Sequence, residues 1–160
     1  MGRTLRAGLL TSIIAGMLVA VGAAVSSAPI PCAGTVQLTG TSNLEVRVAD
    51  SHTFVEFDFT GLHDICLADS SVVTGEIAGH LMQRTSADGD LSLRFDEILS
   101  YGGGTLGYRG EASLADGKWQ SHVRTVGRGT GPLAGIHGQG TFWFTGPTSL
   151  ADVISYVYRA

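Results

Sequence analysis

The sequence predicts an all-β protein, a single antiparallel barrel of roughly eight strands closed on itself, and three observations carry that prediction. From Leu44 onward the apolar residues recur with a period of two rather than 3.6, the spacing of strands with one buried face. Tight-turn signals separate these runs about every ten to fifteen residues. No segment after position 28 carries the apolar stripe of an amphipathic helix. A flat open sheet of this length would leave two edges exposed as templates for aggregation, so closure into a barrel is expected. A two-sheet sandwich is the alternative.

The chain opens on Arg3 and Arg6, followed by an apolar run from Ala7 to Val25 that gives way to small residues and prolines. That is the layout of a secretory signal, with cleavage within 23 to 28. Residues 1–28 are therefore read as a signal peptide, and the protein as secreted, either extracellular or in the cell envelope. An uncleaved anchor is the rival, because the run approaches the ~20 residues of a spanning helix, although Gly8, Gly16 and Gly22 dilute it. A lipoprotein anchor at Cys32 is disfavoured by the absence of a small residue directly before the cysteine. The membrane is thus a partner only if the N-terminal segment is retained.

The remaining ~132 residues suit one domain around one core. Without Arg3 and Arg6, eight basic residues face fourteen acidic ones, a net charge of −6, which argues against nucleic acid as a partner. Cys32 and Cys66, the only cysteines, read as a disulfide in an exported chain. Two buried free thiols are the alternative. Closing that loop would stabilise the domain by about 3 to 4 kcal/mol.

Residues 29–43, rich in Pro, Gly, Thr and Ser, read as an extended leader, and the barrel domain is expected over 44–160. Leu44, Val46 and Val48 share one face, and Val55, Phe57 and Phe59 share the next, with Gly61 marking a turn. Val73, Gly75, Ile77, Gly79 and Leu81 then face inward, the glycines marking bends that let a barrel curl. After the turn at Ser86–Asp90, Leu91, Leu93 and Phe95 alternate with polar residues and pair back as a hairpin. Leu106, Tyr108, Ala112 and Leu114 form the inner set of the following strand. Asp116-Gly117 is the clearest hairpin turn, because that pair accepts the positive φ angles of a type I′ turn. A strand from Trp119 to about Val126, a glycine-dense stretch from 127 to 140, Thr141–Phe144 and a last strand near Val153–Tyr158 complete the chain.

The segment Gly-Thr-Gly-Pro-Leu-Ala-Gly-Ile-His-Gly at 129–138, with Gly104-Thr105-Leu106-Gly107-Tyr108-Arg109-Gly110 and the strand Val73–Met82 upstream, resembles a bacterial family of unknown function built on the allene-oxide-cyclase-like barrel. The likeness covers about 72–144. It implies an eight-stranded barrel and no established activity. The export signal, the two cysteines and the closing strand depart from that family's usual pattern. The related barrel architecture in plants cyclises an oxidised fatty acid and also occurs in dirigent proteins, an analogy of fold alone.

Candidate chemistry is sparse. Gly127–Gly131 lacks the Lys and Ser/Thr of a phosphate-binding loop and reads as a bend between strands. His52, His63, His80, His122 and His137 show no metal-ligand spacing, and each is expected to be exposed or in a loop; no metal or other cofactor is predicted. No G-x-S-x-G elbow is present, and neither cysteine is set as a catalytic thiol. Glu97 reads as the one acidic residue in phase with an apolar face, following Leu91, Leu93 and Phe95. An inward carboxylate in an apolar barrel would serve as a general acid or base. The ordinary expectation is a bulge at 96–98 that turns Glu97 outward and Ile98 inward. Phe57, Phe95, Tyr108 and Trp119 are the candidate ligand-binding aromatics, with core packing as the plainer reading.

The function expected is that of a secreted, non-enzymatic barrel that binds a small apolar ligand or serves a surface role. One alternative is an isomerase or cyclase on an apolar substrate, with Glu97 as the catalytic candidate. Another is a surface assembly protein that uses exposed aromatics at Phe142–Phe144 and Tyr156–Tyr158. The sequence leaves the oligomeric state open.

Overall fold

The structure, a computed structural model, describes residues 28–158. The export-signal reading lies outside the described residues but for position 28. Eight strands follow in order: β1 (Ile30–Ala49), β2 (His52–Cys66), β3 (Val72–Ser86), β4 (Leu91–Tyr101), β5 (Gly104–Ala115), β6 (Lys118–Val126), β7 (Ile136–Gly146) and β8 (Ser149–Tyr158), with a single 3₁₀ turn at Gly131–Leu133. Each strand pairs antiparallel with the next, and β8 pairs back to β1, so the sheet closes into the predicted eight-stranded barrel. The sandwich alternative is excluded by that closure.

The inner sets expected on β3, β4 and β5 are the ones buried. Ile77, Leu81, Leu93, Leu106, Tyr108 and Ala112 all enter the core. The Asp116-Gly117 turn has φ angles of 51° and 71°, the paired positive values of a type I′ hairpin. The seam between β6 and β7 is thin in backbone pairing, with Val123 opposite Gly140 and Arg124 opposite Gln139. Side chains stitch the rest of it: Ser121 Oγ donates to the Phe142 carbonyl at 2.6 Å, and the Gly138 amide donates to Thr125 Oγ1 at 2.9 Å.

Two boundaries differ from the sequence reading. Residues 30–43, expected as a leader, belong to β1, and Ile30–Gln37 is the stretch that closes the barrel against β8. Within it Cys32, Gly34 and Val36 point inward while their neighbours face water. Leu44, Val46 and Val48, expected in the core, are 65%, 62% and 74% exposed. The reason is the length of β1. Its pairing to β8 ends at Gln37 opposite Ser149, and beyond that point its only strand partner among the described residues is β2. Register shifts at Leu38/Gly40 and Ser42/Glu45 bend this extension, and Asn43 at the second sits at φ 52°, a conformation asparagine tolerates. An alternating pattern there marks a strand with no wall opposite it.

The two ends of the barrel are built differently. At the end carrying the β2–β3, β4–β5 and β6–β7 connections, Ile65, Leu99, Leu106, Leu133 and Ile136 are at most 1% exposed and fill the lumen. The glycine-dense loop forms the plug: Leu133 on the 3₁₀ turn inserts, and Thr130 exchanges hydrogen bonds with Thr105 at 2.9 Å. This agrees with the bend expected in place of a phosphate loop. The predicted disulfide is present, Cys32–Cys66 with Cα atoms 5.7 Å apart, and it joins the start of β1 to the end of β2 at this solid end. Opening it, by reductant or by Cys32→Ser with Cys66→Ser, is expected to cost about 3 to 4 kcal/mol, a fall in melting temperature on the order of 10 °C. Thermal unfolding with and without reductant measures this directly.

Candidate functional site

The other end of the barrel is hollow. A cavity of about 230 Å³ runs inward from the β7–β8 hairpin, where exposed Phe144 and Pro147 border its mouth. Its walls are apolar, with Phe57, Phe59, Leu81, Leu93, Phe95 and Leu150 prominent among them. Its deepest lining residues are three ionisable side chains, His63, Glu97 and Asp152, which are 2%, 5% and 4% exposed.

These three reach the lumen from β2, β4 and β8 because each lies in phase with its strand's inner set. His63 follows Phe59 and Gly61 and precedes Ile65; Glu97 sits between Phe95 and Leu99; Asp152 precedes Ile154 and Tyr156. The expected bulge at 96–98 is absent. The pairing of β4 runs unbroken through Asp96, Glu97 and Ile98 on both sides, so Glu97 stays inside and Ile98 is 57% exposed. The expectation that every histidine would be exposed or in a loop fails at His63, for the same reason of phase.

His63 Nδ1 lies 2.7 Å from Glu97 Oε1, and Nε2 lies 2.9 Å from Asp152 Oδ2. Carboxylates accept hydrogen bonds, so both ring nitrogens donate and the ring is an imidazolium. Burial alone would push its pKa down; the hydrogen bonds to Asp152 and Glu97, and the charges of both, overcome that and hold it up at about 10. The Gly34 amide donates to Asp152 Oδ1 at 3.1 Å. Only glycine allows this approach, because a Cβ at position 34 would lie 2.5 Å from the Asp64 carbonyl oxygen and 2.6 Å from Asp152 Oδ1.

Beneath the trio, Tyr108 tilts its ring against His63 at 5.1 Å between centroids, and its hydroxyl lies 2.8 Å from that of Tyr156. Burial raises the pKa of both phenols, so they stay neutral. The candidate aromatics therefore divide. Phe57 and Phe95 line the cavity, Tyr108 underpins its base, and Trp119 stands outside the lining, with its ring on Phe142 and Phe144 and its Nε1 donating to the Phe142 carbonyl at 2.9 Å. The aromatic patch proposed for an assembly role does not form as expected, since Phe142 and Tyr156 are buried and only Trp143 and Phe144 of those segments are exposed large apolar residues.

A metal would find little here. Both imidazole nitrogens are committed to carboxylates, and no cluster of three or more His, Cys, Asp or Glu among the described residues is arranged to hold an ion.

The fold is similar to that of a protein of unknown function from the DUF3224 family of Shewanella oneidensis MR-1, known from a crystal structure. The superposition has a TM-score of 0.62 at 14% identity and covers 82% of this chain and 98% of the other. At that identity the likeness is one of fold. The chain matches no family model and no curated protein.

The buried imidazolium makes stability depend on pH with a defined sign. Because its pKa in the folded state lies above the ordinary 6.5, its contribution is full below about pH 6.5 and is lost as pH rises through about 10. The melting temperature is expected to fall across that window by on the order of 5 °C or more, and a flat profile would contradict the assignment. His63→Leu is expected to lose about 3 to 5 kcal/mol at neutral pH, because two buried carboxylates then face each other without a cation. Without the imidazolium, the fall in melting temperature between about pH 6.5 and 10 should be lost, which parallel melts of the two proteins would reveal.

Proposed function

We propose that this chain is an exported barrel that holds one small, largely apolar molecule in its open end. The observation that carries the reading is the cavity itself, largely apolar on its walls, with Gln83 nearer the rim and three polar side chains gathered at its base, the usual make-up of a small-molecule site. An apolar cavity of about 150 Å³ admits benzene, so about 230 Å³ suits a molecule of roughly nine or ten non-hydrogen atoms. Export is supported by Arg3, Arg6 and the apolar run after them, and by a disulfide of the kind that persists in oxidising compartments.

A second reading, an isomerase or cyclase acting on an apolar substrate, is favoured by one specific observation. Glu97 faces the cavity, where a carboxylate reaches an enclosed molecule, instead of solvent. The resemblance to the allene-oxide-cyclase-like barrel belongs with this reading as analogy of fold. Binding is the step the two readings share, and it is preferred because the geometry requires no reaction.

Titration with toluene is expected to show saturable binding by calorimetry, and Leu38→Trp, which places an indole at the cavity wall, is expected to abolish it while leaving the melting transition cooperative. Absence of binding to the wild-type barrel would remove the reading. Export predicts a mature N-terminus between residues 24 and 29 in protein recovered from the culture medium or envelope, read by intact mass; a full-length chain held in the membrane would contradict it.

A further inference from the structure

The base of the cavity has a polarity that selects among ligands. Both His63 donors are spent on Glu97 and Asp152, and Asp152 Oδ1 accepts from Gly34. Tyr108 and Tyr156 are turned to each other below the lining. Glu97 Oε1 takes the His63 proton, whereas Glu97 Oε2 makes no hydrogen bond among the described residues. No buried side-chain oxygen or nitrogen there lacks a partner, so Oε2 is not sealed within the protein and opens on the cavity that Glu97 lines. Gln83, nearer the rim and away from this base, donates one of its two amide hydrogens to Thr85 Oγ1 at 3.2 Å. At the base of the cavity, where His63 and the Gly34 amide are both committed, the polar atom left to meet a ligand is therefore an acceptor.

The charge points the same way. One imidazolium between two carboxylates leaves the buried trio one negative charge in excess. An incoming carboxylate seated at the base would bring a second negative charge beside Glu97 with no donor there to receive it, which is costly. An ammonium would donate a charge-assisted hydrogen bond and cancel the excess, with the rings of Phe57, Phe59 and Phe95 around it as further partners for a cation.

We propose that the open end of the barrel takes a small apolar amine, its ammonium donating to the Glu97 carboxylate and its apolar body filling the aromatic walls, and that it rejects anionic molecules of the same shape. This inference rests on the ligand-site reading and names the class of ligand within it.

Four probes of one shape test it: toluene, benzyl alcohol, benzylamine and benzoate, each titrated by calorimetry into the mature barrel at pH 7. Benzylamine is expected to bind about 10- to 100-fold more tightly than toluene, the range of a hydrogen bond to a charged group, with benzyl alcohol between them and benzoate weakest. Glu97→Gln keeps an acceptor for His63 and turns an amide donor toward the cavity. Its expected signature is loss of the benzylamine preference and a gain for benzoate, with toluene unchanged as the check that the cavity persists. Toluene bound together with benzoate at or above the affinity of benzylamine would overturn the amine assignment and leave the ligand site standing. No binding by any of the four would overturn the site and this inference with it.

Discussion

The interior of this barrel is organised around a buried positive charge held between two negative ones at the base of its cavity. His63, Glu97 and Asp152 come from β2, β4 and β8; β4 and β8 stand opposite each other in the closed barrel with β2 midway between them, and the two hydrogen bonds of His63 link them across the lumen. Gly34 on β1 adds a fourth strand through its amide. A buried ion pair is costly to form and more costly to break by halves, so the three residues hold one another in place: remove His63, and both carboxylates lose their cation; remove either carboxylate, and His63 loses one of its two partners. The trio also marks the boundary between two kinds of interior. Below it, the two tyrosines, the plug residue Leu133 and the disulfide make a dry core; above it, the aromatic walls enclose a space.

That division explains how a chain of this size has both a stable core and a cavity. Eight strands make a lumen that side chains just fill or that one small ligand shares with them, and here both outcomes occur along one axis. The solid half gains from the glycine-dense loop, which folds across the barrel end and inserts Leu133. The hollow half leans on the charged layer as its base, so the polar chemistry of the site and the cohesion of the fold reside in the same atoms.

Much of this was legible in the sequence. The alternation that located β3, β4 and β5 also carried the site, since Glu97 stands in phase with Leu93 and Phe95, His63 with Phe59 and Ile65, and Asp152 with Ile154 and Tyr156. At Glu97 the phase competes with a bulge, because an isolated inward carboxylate is costly; three polar residues in phase on three strands explain one another. What resisted reading was non-local. The start of β1 has a loop-like composition, and its strand character comes from β8, at the opposite end of the chain. Conversely Leu44, Val46 and Val48 have a strand pattern without burial, since nothing in local sequence reveals that the barrel wall ends before them.

The central claim is that His63 is a buried imidazolium clamped by Glu97 and Asp152, and nitrogen NMR of the His63 ring across a pH titration tests it most directly. The account predicts two protonated ring nitrogens at neutral pH and no deprotonation until the neighbourhood of pH 10. A His63 ring that titrates near 6.5, or that shows one bare nitrogen at pH 7, would contradict it.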